Sequence, residues 1–517
     1  MIKEVEIKVA PLHIEDNDYL TQQVRQKIGL QASDQFQIQW LRRSIDARSR
    51  NVHYVVRAKV YINESIPDQQ EFIWKPFIKY HRPVYIIGAG PAGLFAALEL
   101  LNHGIKPIVI ERGKDVRARR RDLAAINKEH IVNPESNYCF GEGGAGTYSD
   151  GKLYTRSGKR GSINKVLEGL VHFGANSDIL INAHPHIGTN KLPKIIQDIR
   201  EAIIEAGGEV HFEEKLIDIS TNNHQITSIT TNKGKYDCED VILATGHSAR
   251  DIYHLLHQKN ITIEVKPFAL GVRIEHPQEL IDQIQYKCDT RDPYLPAASY
   301  SLVQKLEDRG AYSFCMCPGG IIAPCATSPG EVVTNGWSPS KRNNPYANSG
   351  FVVELKLEDF KRYDKEGPLA GLAYQSAIEQ KAWHLAGETQ KVPAQRMVDF
   401  MQGKLSANNM ISSYQPGTTS IQLEEVFPNE IHQSLKKAFQ GLQRKMPRYV
   451  TNEAILHATE SRTSSPVRIP RDRETMEHIQ TKGLYPCAEG AGYAGGIVSA
   501  AIDGQKCAAA IAIKRAQ

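Results

Sequence analysis

The sequence Val84-Tyr85-Ile86-Ile87-Gly88-Ala89-Gly90-Pro91-Ala92-Gly93 decides the fold, and it continues through a helical run to Ile108-Val109-Ile110-Glu111. An apolar run typical of a β-strand leads into a Gly-x-Gly-x-x-Gly turn, an amphipathic helix follows, and a second apolar run ends in an acid. This order predicts a βαβ unit that binds a dinucleotide. For the glycines alone, an ordinary strand-to-helix turn is the alternative.

Each glycine of the turn, and the proline within it, is suited to its position for a physical reason. Gly88 permits the tight turn, Gly90 lets a pyrophosphate approach the backbone, and Gly93 lets the helix pack closely on the strand. Pro91 suits the first helical position because its missing N–H would have no partner within the helix. The helix amides from about Pro91 onward, at Ala92 and beyond, are expected to face the phosphates.

Glu111 lies about 20 residues past the glycines, where an acid accepts hydrogen bonds from an adenosine ribose. Its charge would repel a 2′-phosphate, so FAD or NAD fits better than NADP. Arg112 follows directly and is the best placed of the basic residues in 112–121 to reach the cofactor phosphates. The other basic residues of this run are expected to be solvated.

Length and composition limit the classes of protein to which the sequence can belong. A chain of 517 residues exceeds what one hydrophobic core serves, so two or three domains are expected. A net charge of +5 is too small to indicate nucleic-acid or membrane binding. Eight scattered cysteines, no apolar signal segment, and polar interruptions in the alanine-rich stretch 498–513 predict a cytoplasmic protein without a membrane span.

Residues 1–80 are predicted to form a small α+β module, followed by a linker over residues 64–82. Basic residues lie beside Trp40, a pattern that can bind RNA, and they are Arg42, Arg43, Arg48 and Arg50. A solvated hairpin or a surface that docks on the nucleotide fold is favoured, because the chain as a whole is hardly basic. Nucleic acid is therefore an unlikely partner.

A second glycine loop spans Cys139–Lys152 and includes Gly143, Gly144 and Gly146. So many glycines expose backbone amides, which suits contact with the flavin half of the cofactor, although a flexible surface loop is the alternative. Short strands from Glu209 to Cys238 are predicted to form a meander. The cofactor contacts expected from this region are Leu216, and Ala244, Thr245 and Gly246 after an apolar strand.

The segment Leu484–Gly504 contains Gly490-x-Gly492-x-x-Gly495. Too little chain follows for a second βαβ unit, so this segment is expected to complete the first fold. Gly495 and Gly496 open a helix at Ile497, whose N–H groups and dipole can stabilise the negative charge of a reduced flavin. Glu489 is placed to hold the ribityl chain, and Gly490 belongs to the same set of contacts.

Five other segments extend the pattern along nearly the whole chain. They are Gly141–Gly146, Ala244–Asp251, Gly271–Pro277, Cys315–Gly320 and Ser461–Arg468. With the glycine turn and the terminal Glu-Gly signature, they make the sequence similar to a bacterial family of FAD-dependent dehydrogenases of unassigned substrate. That family resembles FAD-containing oxidoreductases of the glutathione-reductase structural type. Glu489 stands where the wider group commonly has Asp.

The resemblance implies bound FAD and an α/β fold, with a Rossmann-type FAD-binding domain, an inserted α+β domain and the small N-terminal α+β module. We place the domains at 1–80, at 81–265 plus 456–517, and at 266–455. The inserted domain is expected to cap the flavin and to select the substrate. A complete second nucleotide fold is missing, so NAD(P)H, if used, binds transiently.

Two pairs of residues in or near the inserted domain are candidates for anion binding. Arg273 and His276 can anchor an anion, but a structural role is favoured for both. Arg462 or Arg468 is the candidate for anchoring substrate, since arginine suits bidentate recognition of carboxylate or phosphate. An ion pair between the domains is the equal alternative.

The spacing Cys315-x-Cys317 places both sulfurs on one face of a strand. Cys288 and Cys325 complete a possible set of four ligands, but the paired Cys-x-x-Cys spacing of zinc sites is absent and no metal is predicted. Buried structural cysteines are favoured. Cys317, next to Pro318, is kept as a catalytic candidate beside Arg462.

These patterns predict an FAD-dependent oxidoreductase that passes hydride or electrons between a small-molecule substrate and tightly bound FAD. One alternative is a flavin-dependent RNA-modifying enzyme that binds RNA through its N-terminal module. Another is a non-catalytic, flavin-bound sensor. The residues do not distinguish dehydrogenase, oxidase, reductase and monooxygenase, and they do not indicate the oligomeric state.

Overall fold

The computed structural model describes residues 1–31, 34–67, 72, 74, 76–155, 161–407 and 410–517. The predicted linker includes positions 68–71, 73 and 75, which lie outside the described residues. The linker ends earlier than predicted, because a strand already begins at Tyr80.

Residues 1–62 form an antiparallel three-stranded sheet with one helix against it. The elements are β1 (Ile2–Val9), α1 (Asn17–Ile28), β2 (Phe36–Asp46) and β3 (His53–Ile62), in the sheet order β1-β3-β2. Helix α1 begins after Asp16, whose carboxylate accepts a hydrogen bond from the Tyr19 amide, and ends at Gly29 in the left-handed conformation.

The nucleotide-binding part follows, with strands and helices in alternation. Its first elements are β4 (Tyr80–Ile87), α2 (Pro91–Asn102), β5 (Ile105–Ile110), α3 (Val116–Glu129), α4 (Ile163–His172), α5 (Leu192–Glu205), β6 (Glu209–His211), β7 (Leu216–Asn222), β8 (Gln225–Thr231), β9 (Lys235–Asp237), β10 (Val241–Leu243) and α6 (Arg250–Gln258). Helix α5 ends before Gly207, as predicted from the paired glycines there.

The inserted part is mixed α and β. Its elements are β11 (Glu264–Val265), β12 (Ala269–Pro277), α7 (Gln278–Tyr286), β13 (Val303–Lys305), β14 (Gly310–Cys317), β15 (Ile321–Pro324), β16 (Thr334–Trp337), β17 (Tyr346–Glu354), α8 (Ala370–Leu385), β18 (Val392–Arg396), α9 (Met397–Gln402), β19 (Thr418–Ser420), α10 (Asn429–Lys445) and β20 (Ile455–Glu460). The chain then returns to the nucleotide-binding part through β21 (Val467–Arg468), β22 (Leu484–Pro486) and α11 (Ile497–Ala516).

A parallel sheet of five strands, ordered β22-β10-β4-β5-β6, is the centre of the nucleotide-binding part. Its strands are apolar on both faces because both faces are covered. Residues such as Ile86 and Val109 pack under α2, α4, α5 and α11, whereas Ile87 and Ile110 pack under α6 and the β7–β9 sheet. Sequence segments from the start and the end of this part are thereby joined in one sheet.

The predicted meander is correct for three of its four strands. Strands β7, β8 and β9 form an antiparallel sheet, but Glu209–His211 pairs with β5 in the parallel sheet. The reason is the preceding helix α5, which returns the chain to the sheet edge as a βαβ crossover.

A seven-stranded sheet, ordered β13-β14-β17-β12-β20-β18-β19, forms the inserted part. Strand β20 lies between β12 and β18, so this sheet continues past the predicted boundary at residue 455. The sheet shares one hydrophobic core with helices α8 and α10 and with β1, β3 and α1 of the N-terminal module.

The N-terminal module also contacts the nucleotide-binding part. The backbone of Arg43 in β2 pairs with Asn182, and its guanidinium binds the Asn182 side chain at 2.9 Å and Asp178 at 3.3 Å. The module therefore packs on both other parts of the chain. Among the described residues, each helix is too short or too polar to cross a lipid bilayer.

Candidate functional site

A cavity of about 920 Å³ lies where the carboxyl ends of β4, β5 and β10 meet β14 of the inserted sheet. Its volume is near the upper end of the roughly 300–1,000 Å³ found for ligand pockets. Open α/β sheets bind ligands at the carboxyl ends of their strands. The cavity has a cofactor end, lined by the glycine loops, and a second end that we call the chamber, lined by Asp150, Lys152, Cys315–Pro318 and Arg342.

The three glycines of the first turn have different surroundings. Gly88 has a φ of +109°, and a Cβ there would overlap the carbonyl oxygen of Ala244, which directly follows the neighbouring strand β10. A Cβ at Gly93 would overlap the carbonyl oxygen of Gly88, which confirms the predicted close packing of helix on strand. At Gly90 a Cβ would meet open space, and this residue lines the cavity. Of these three glycines, Gly90 is therefore the one beside which the turn leaves space for a ligand.

The Glu111 carboxylate joins the two glycine loops. It is 5% exposed and accepts hydrogen bonds from the backbone amides of Ala89, Gly113 and Gly141, each at 2.9 Å. An ionised carboxylate has about four acceptor sites. One site therefore stays available for the predicted ribose hydroxyl, and Glu111 lines the cavity.

The second glycine loop lies directly on the first. The Gly143 amide donates to the Ala89 carbonyl at 2.8 Å. Arg119, which was expected to be solvated, is fully buried and donates to the carbonyl oxygens of Asn137, Glu142 and Gly144 at 2.7, 2.9 and 3.0 Å. The expectation was wrong because helix α3 turns this arginine inward, where the loop's carbonyl groups need a donor.

The start of α11 completes the cofactor end. Gly496 caps the helix with a φ of +80°, and Ile497 lies within 4 Å of where a Cβ of Gly146 would be. Pro91, the first residue of α2, lies equally close to that position. The N-terminal ends of two helices and the second glycine loop therefore meet around one space, where helix dipoles favour negative charge.

Glu489 and His247 face each other at this end, with the Glu489 carboxylate 3.8 Å from His247 Nε2. Burial raises the pKa of Glu489 to about 7, and nearby Cys139 adds to this while Lys266 opposes it. Burial, together with the positive charges of Arg462 and Arg250, lowers the pKa of His247 to about 4. His247 is thus neutral at pH 7, so this contact is not an ion pair.

The predicted cofactor contacts gather around this cavity. All of them line it except Gly93, Gly143 and Gly490. These three glycines lie behind the wall, where each is packed against backbone or side-chain atoms of a neighbouring segment. Direct contact of each lining residue with a cofactor stays a prediction.

Arg112 lines the cavity but is bound by other side chains. Its guanidinium lies 2.6 Å from Glu135, 2.9 Å from Asp251, and over the ring of Phe140. Lys215 binds the same two carboxylates at 2.9 and 3.2 Å. Any contact of Arg112 with a phosphate would have to compete with this network.

Arg462 also lines the cavity and lies in a second buried network. Its guanidinium contacts Glu379 and Glu331, each at 2.9 Å, and Thr327 at 2.7 Å. Arg250 binds the same two carboxylates at 2.7 and 2.6 Å. Burial alone would raise the pKa of Glu379, but Arg250 and Arg462 hold it well below its usual value. This is the predicted ion-pair alternative, and it leaves Arg462 poorly placed to anchor a substrate.

Arg273 and His276 are buried inside the seven-stranded sheet. Arg273 binds Glu460 through two nitrogens at 2.8 and 2.9 Å, and His276 contacts the carbonyl oxygen of Tyr449 at 2.8 Å. Their structural role is confirmed, because neither side chain has exposed surface.

The chamber contains the predicted Cys317 and a lysine that the sequence reasoning missed. Lys152 Nζ lies 3.8 Å from the Cys317 sulfur and 3.5 Å from Asp150, while Arg342 binds Asp150 at 2.9 Å. Burial opposes the charge of Lys152, but Cys317 and Asp150 outweigh it and raise the pKa of the ammonium. The net charge of this lysine, arginine and aspartate is positive.

His247, Lys152, Arg342 and Cys139 were not predicted as site residues. Lys152 and Cys139 are the last and first residues of the second glycine loop. Their position next to a predicted cofactor loop could have identified both as site residues. His247 directly follows the Ala-Thr-Gly segment. Arg342 lies in a connection between β16 and β17, and its sequence surroundings contain no signal.

Two arginines of the N-terminal module form ion pairs with carboxylates. Arg43 binds Asp178, and Arg48 binds Asp46 at 2.6 Å. Such pairing reduces the positive charge that an RNA backbone would contact.

Comparison with known proteins adds family matches to this geometry. Residues 267–463 match the family described as "FAD-dependent protein, C-terminal domain-like", and residues 81–131 match an "FAD binding domain". Residues 1–61 match a domain of unknown function. Because the second match contains both Gly88 and Glu111, FAD is confirmed as the cofactor.

The chain is 40% identical over 515 residues to an "Uncharacterized protein" of Clostridium beijerinckii, and the match covers 96% of each chain. Among solved structures, it is similar to tetracycline destructase Tet(51), with 10% identity, a TM-score of 0.35, and coverage of 84% of this chain and 82% of that chain. Glycine oxidase from Bacillus cereus gives 14% identity and a TM-score of 0.33, covering 84% and 95%. Likeness this weak indicates nothing about what the chain acts on.

Two substitutions separate folding from cofactor binding. We expect Gly90→Ala to keep the fold and weaken FAD binding at least about tenfold, because its methyl group would occupy the space of the pyrophosphate, and each 1.4 kcal/mol is about tenfold. We expect Gly93→Ala to destabilise the fold by about 1–3 kcal/mol or more through overlap with the Gly88 carbonyl. Fluorescence titration with FAD and thermal unfolding measure the two effects. Unchanged FAD affinity in Gly90→Ala would exclude a phosphate at this turn.

FAD binding should depend on pH through Glu489. Hydrogen bonds from ribityl hydroxyls favour the ionised carboxylate, so the complex holds fewer protons than the free protein. Affinity should therefore rise with pH by up to about tenfold per unit below pH 7, where the pKa of Glu489 is about 7, and level off above it. Titration calorimetry across pH 5–8 measures the slope, which Glu489→Gln should abolish. Cys139→Ser is the control, because Cys139 also titrates in this range and helps to raise the pKa of Glu489. It should keep the slope and lower the pH at which affinity levels off.

Proposed function

Because the chain belongs to one family with its relative in Clostridium beijerinckii and matches models of FAD-dependent and FAD-binding domains, we propose that it is an oxidoreductase. It passes hydride or electrons between FAD and a small molecule held in the chamber. The observation that carries the proposal is the continuity of the cavity from the glycine loops to β14. A protein that only stored or sensed FAD has no need of such a second compartment beside the cofactor.

FAD supplies the redox chemistry when it is bound, because its ring accepts or releases two electrons. The chain's own residues position the cofactor and exclude water. Glycine loops and two helix N-termini form the cofactor end, and the inserted sheet closes the opposite side. Ion pairs between Arg250 of the nucleotide-binding part and Glu331 and Glu379 of the inserted part hold the two halves together.

The substrate class we propose is a small anion, such as a carboxylate. Lys152 is the group that binds it, because its ammonium is engaged only by long contacts, to Asp150 at 3.5 Å and Cys317 at 3.8 Å, among the described residues. Arg342 forms an ion pair with Asp150. The positive charge of Lys152 is therefore not neutralised at the chamber wall. The Lys152 side chain faces the cavity and is 38% exposed, so an anion in the chamber can reach its ammonium.

Anaerobic spectroscopy of the FAD-loaded protein tests the function. Candidate donors are NADH, NADPH and a panel of metabolite carboxylic acids, each paired with its amide as a neutral control. The expected result is bleaching of the oxidised-flavin band by a member of the acid series and not by its amide. A flavin that no donor bleaches, and that no acceptor reoxidises after chemical reduction, would identify a flavin-bound sensor instead. Dehydrogenase chemistry, the glutathione-reductase type and a cytoplasmic location stay predictions.

Lys152 provides a matched test of the substrate class. Lys152→Met removes the charge and keeps much of the side-chain volume, whereas Lys152→Arg keeps the charge. We expect the Met variant to raise KM for the acid at least about tenfold with a smaller change in kcat, and the Arg variant to recover most of the loss. Steady-state kinetics measure both constants, and flavin absorbance confirms equal FAD loading. An unchanged KM in the Met variant would show that the anion binds elsewhere.

A further inference from the structure

We propose that Cys139 and Cys325 form a reversible disulfide on the wall of the cavity, a second redox centre that exchanges electrons with small thiols and disulfides. The Sγ atoms of these two cysteines lie 3.5 Å apart, although the residues are 186 positions apart in sequence. Both are free thiols in this structure. A disulfide has an S–S distance of about 2.05 Å, so bond formation requires a shift of about 1.5 Å.

The two thiols differ in a way that suits thiol–disulfide exchange. Cys139 is half-buried in the second glycine loop and lines the cavity, while Cys325 follows β15 and is 5% exposed. A hydrogen bond from Cys325 lowers the pKa of Cys139 to about 6, and the Arg462 charge and a hydrogen bond from Ser248 assist against burial. That same hydrogen bond, together with burial, raises the pKa of Cys325. Cys139 is thus the attacking thiolate, and Cys325 is the resolving thiol.

The proposed oxidation of the two cysteines takes place in two thiol–disulfide exchange steps. Cys139 thiolate attacks one sulfur of a small disulfide, which forms a mixed disulfide and releases one small thiolate. Cys325 then loses its proton to solvent and attacks Cys139, which forms the Cys139–Cys325 bond and releases the second small thiolate. Two protein thiols are oxidised, and one small disulfide is reduced by two electrons to two thiols.

The bond would tether the second glycine loop to the two-stranded β15–β16 sheet of the inserted part. Cys139 precedes Gly141, whose amide binds Glu111, and Cys325 lies between β15 and β16. The tether therefore joins the cofactor loop directly to the part of the chain that closes the cavity. Oxidation of this pair would hold the two halves together covalently.

The other cysteines serve as internal controls. The predicted pair, Cys315 and Cys317, is a poorer candidate, because Cys315 is exposed whereas Cys317 is buried, and the Cys317 sulfur contacts the Cys315 carbonyl oxygen at 3.3 Å. Cys487 and Cys507 are also close together but have no exposed surface. Arg471 binds both oxygens of the neighbouring Asp503.

Redox titration of the FAD-loaded protein tests the proposal. The protein is equilibrated without oxygen at a series of ratios of reduced to oxidised glutathione, quenched with N-ethylmaleimide, digested and analysed by mass spectrometry. We expect a Cys139–Cys325 cross-linked peptide to appear and disappear in one transition, with the loss of two of the eight thiols. Cys487 and Cys507 should stay reduced. Failure to find the cross-link in strongly oxidising buffer, or a stable mixed disulfide on wild-type Cys139, would overturn the proposal.

The variant Cys325→Ala tests the assignment of roles. It should accumulate glutathione on Cys139, because the resolving thiol is gone. In the wild type, the rate of Cys139 alkylation should be half-maximal near pH 6, and the midpoint should rise by at least about one pH unit in Cys325→Ala. A purely structural pair would give neither trapping nor a low midpoint. If the variant does not fold, the wild-type cross-link and alkylation profile decide the question.

Discussion

The cofactor site depends on one buried carboxylate. Glu111 accepts hydrogen bonds from amides in the first glycine turn, in the residues after β5, and in the second glycine loop. Burying a charge is costly unless it is paired or hydrogen-bonded, and three N–H donors provide that compensation. The interaction is reciprocal, since the same amides would otherwise be unpaired inside the fold. Glu111 thus shapes the site before it contacts any ribose.

A second constraint sets the position of the inserted sheet. Arg250 begins helix α6, Arg462 follows β20, and both bind Glu331 and Glu379. Removing one member of such a buried network would leave an uncompensated charge, which is strongly destabilising. The network therefore fixes the geometry between the two halves of the cavity. It also explains why an arginine next to the cofactor segment is unsuited to bind a substrate.

The N-terminal module contributes to the same closure. Its sheet shares a hydrophobic core with the inserted sheet, and its edge strand pairs with residue 182 of the nucleotide-binding part. The first 62 residues therefore act as a support for the cavity. The two redox elements proposed for the cavity, FAD and the Cys139–Cys325 pair, lie where these supports converge.

The sequence by itself determined the nucleotide-binding unit and the return of the C-terminal segment to the same sheet, because these rest on local patterns of glycines, apolar strands and helix starts. FAD rather than NAD followed from the family resemblance of the sequence. Nearly all of the cofactor contacts that the sequence predicted line the cavity. Only the tertiary structure decided that Arg119 is buried, that Arg462 is bound by carboxylates, and that Lys152 and Arg342 share the chamber. Cys139 and Cys325 meet only in the folded chain. Side-chain partners in these cases are far apart in sequence, so they depend on how the inserted sheet packs, which no local pattern specifies.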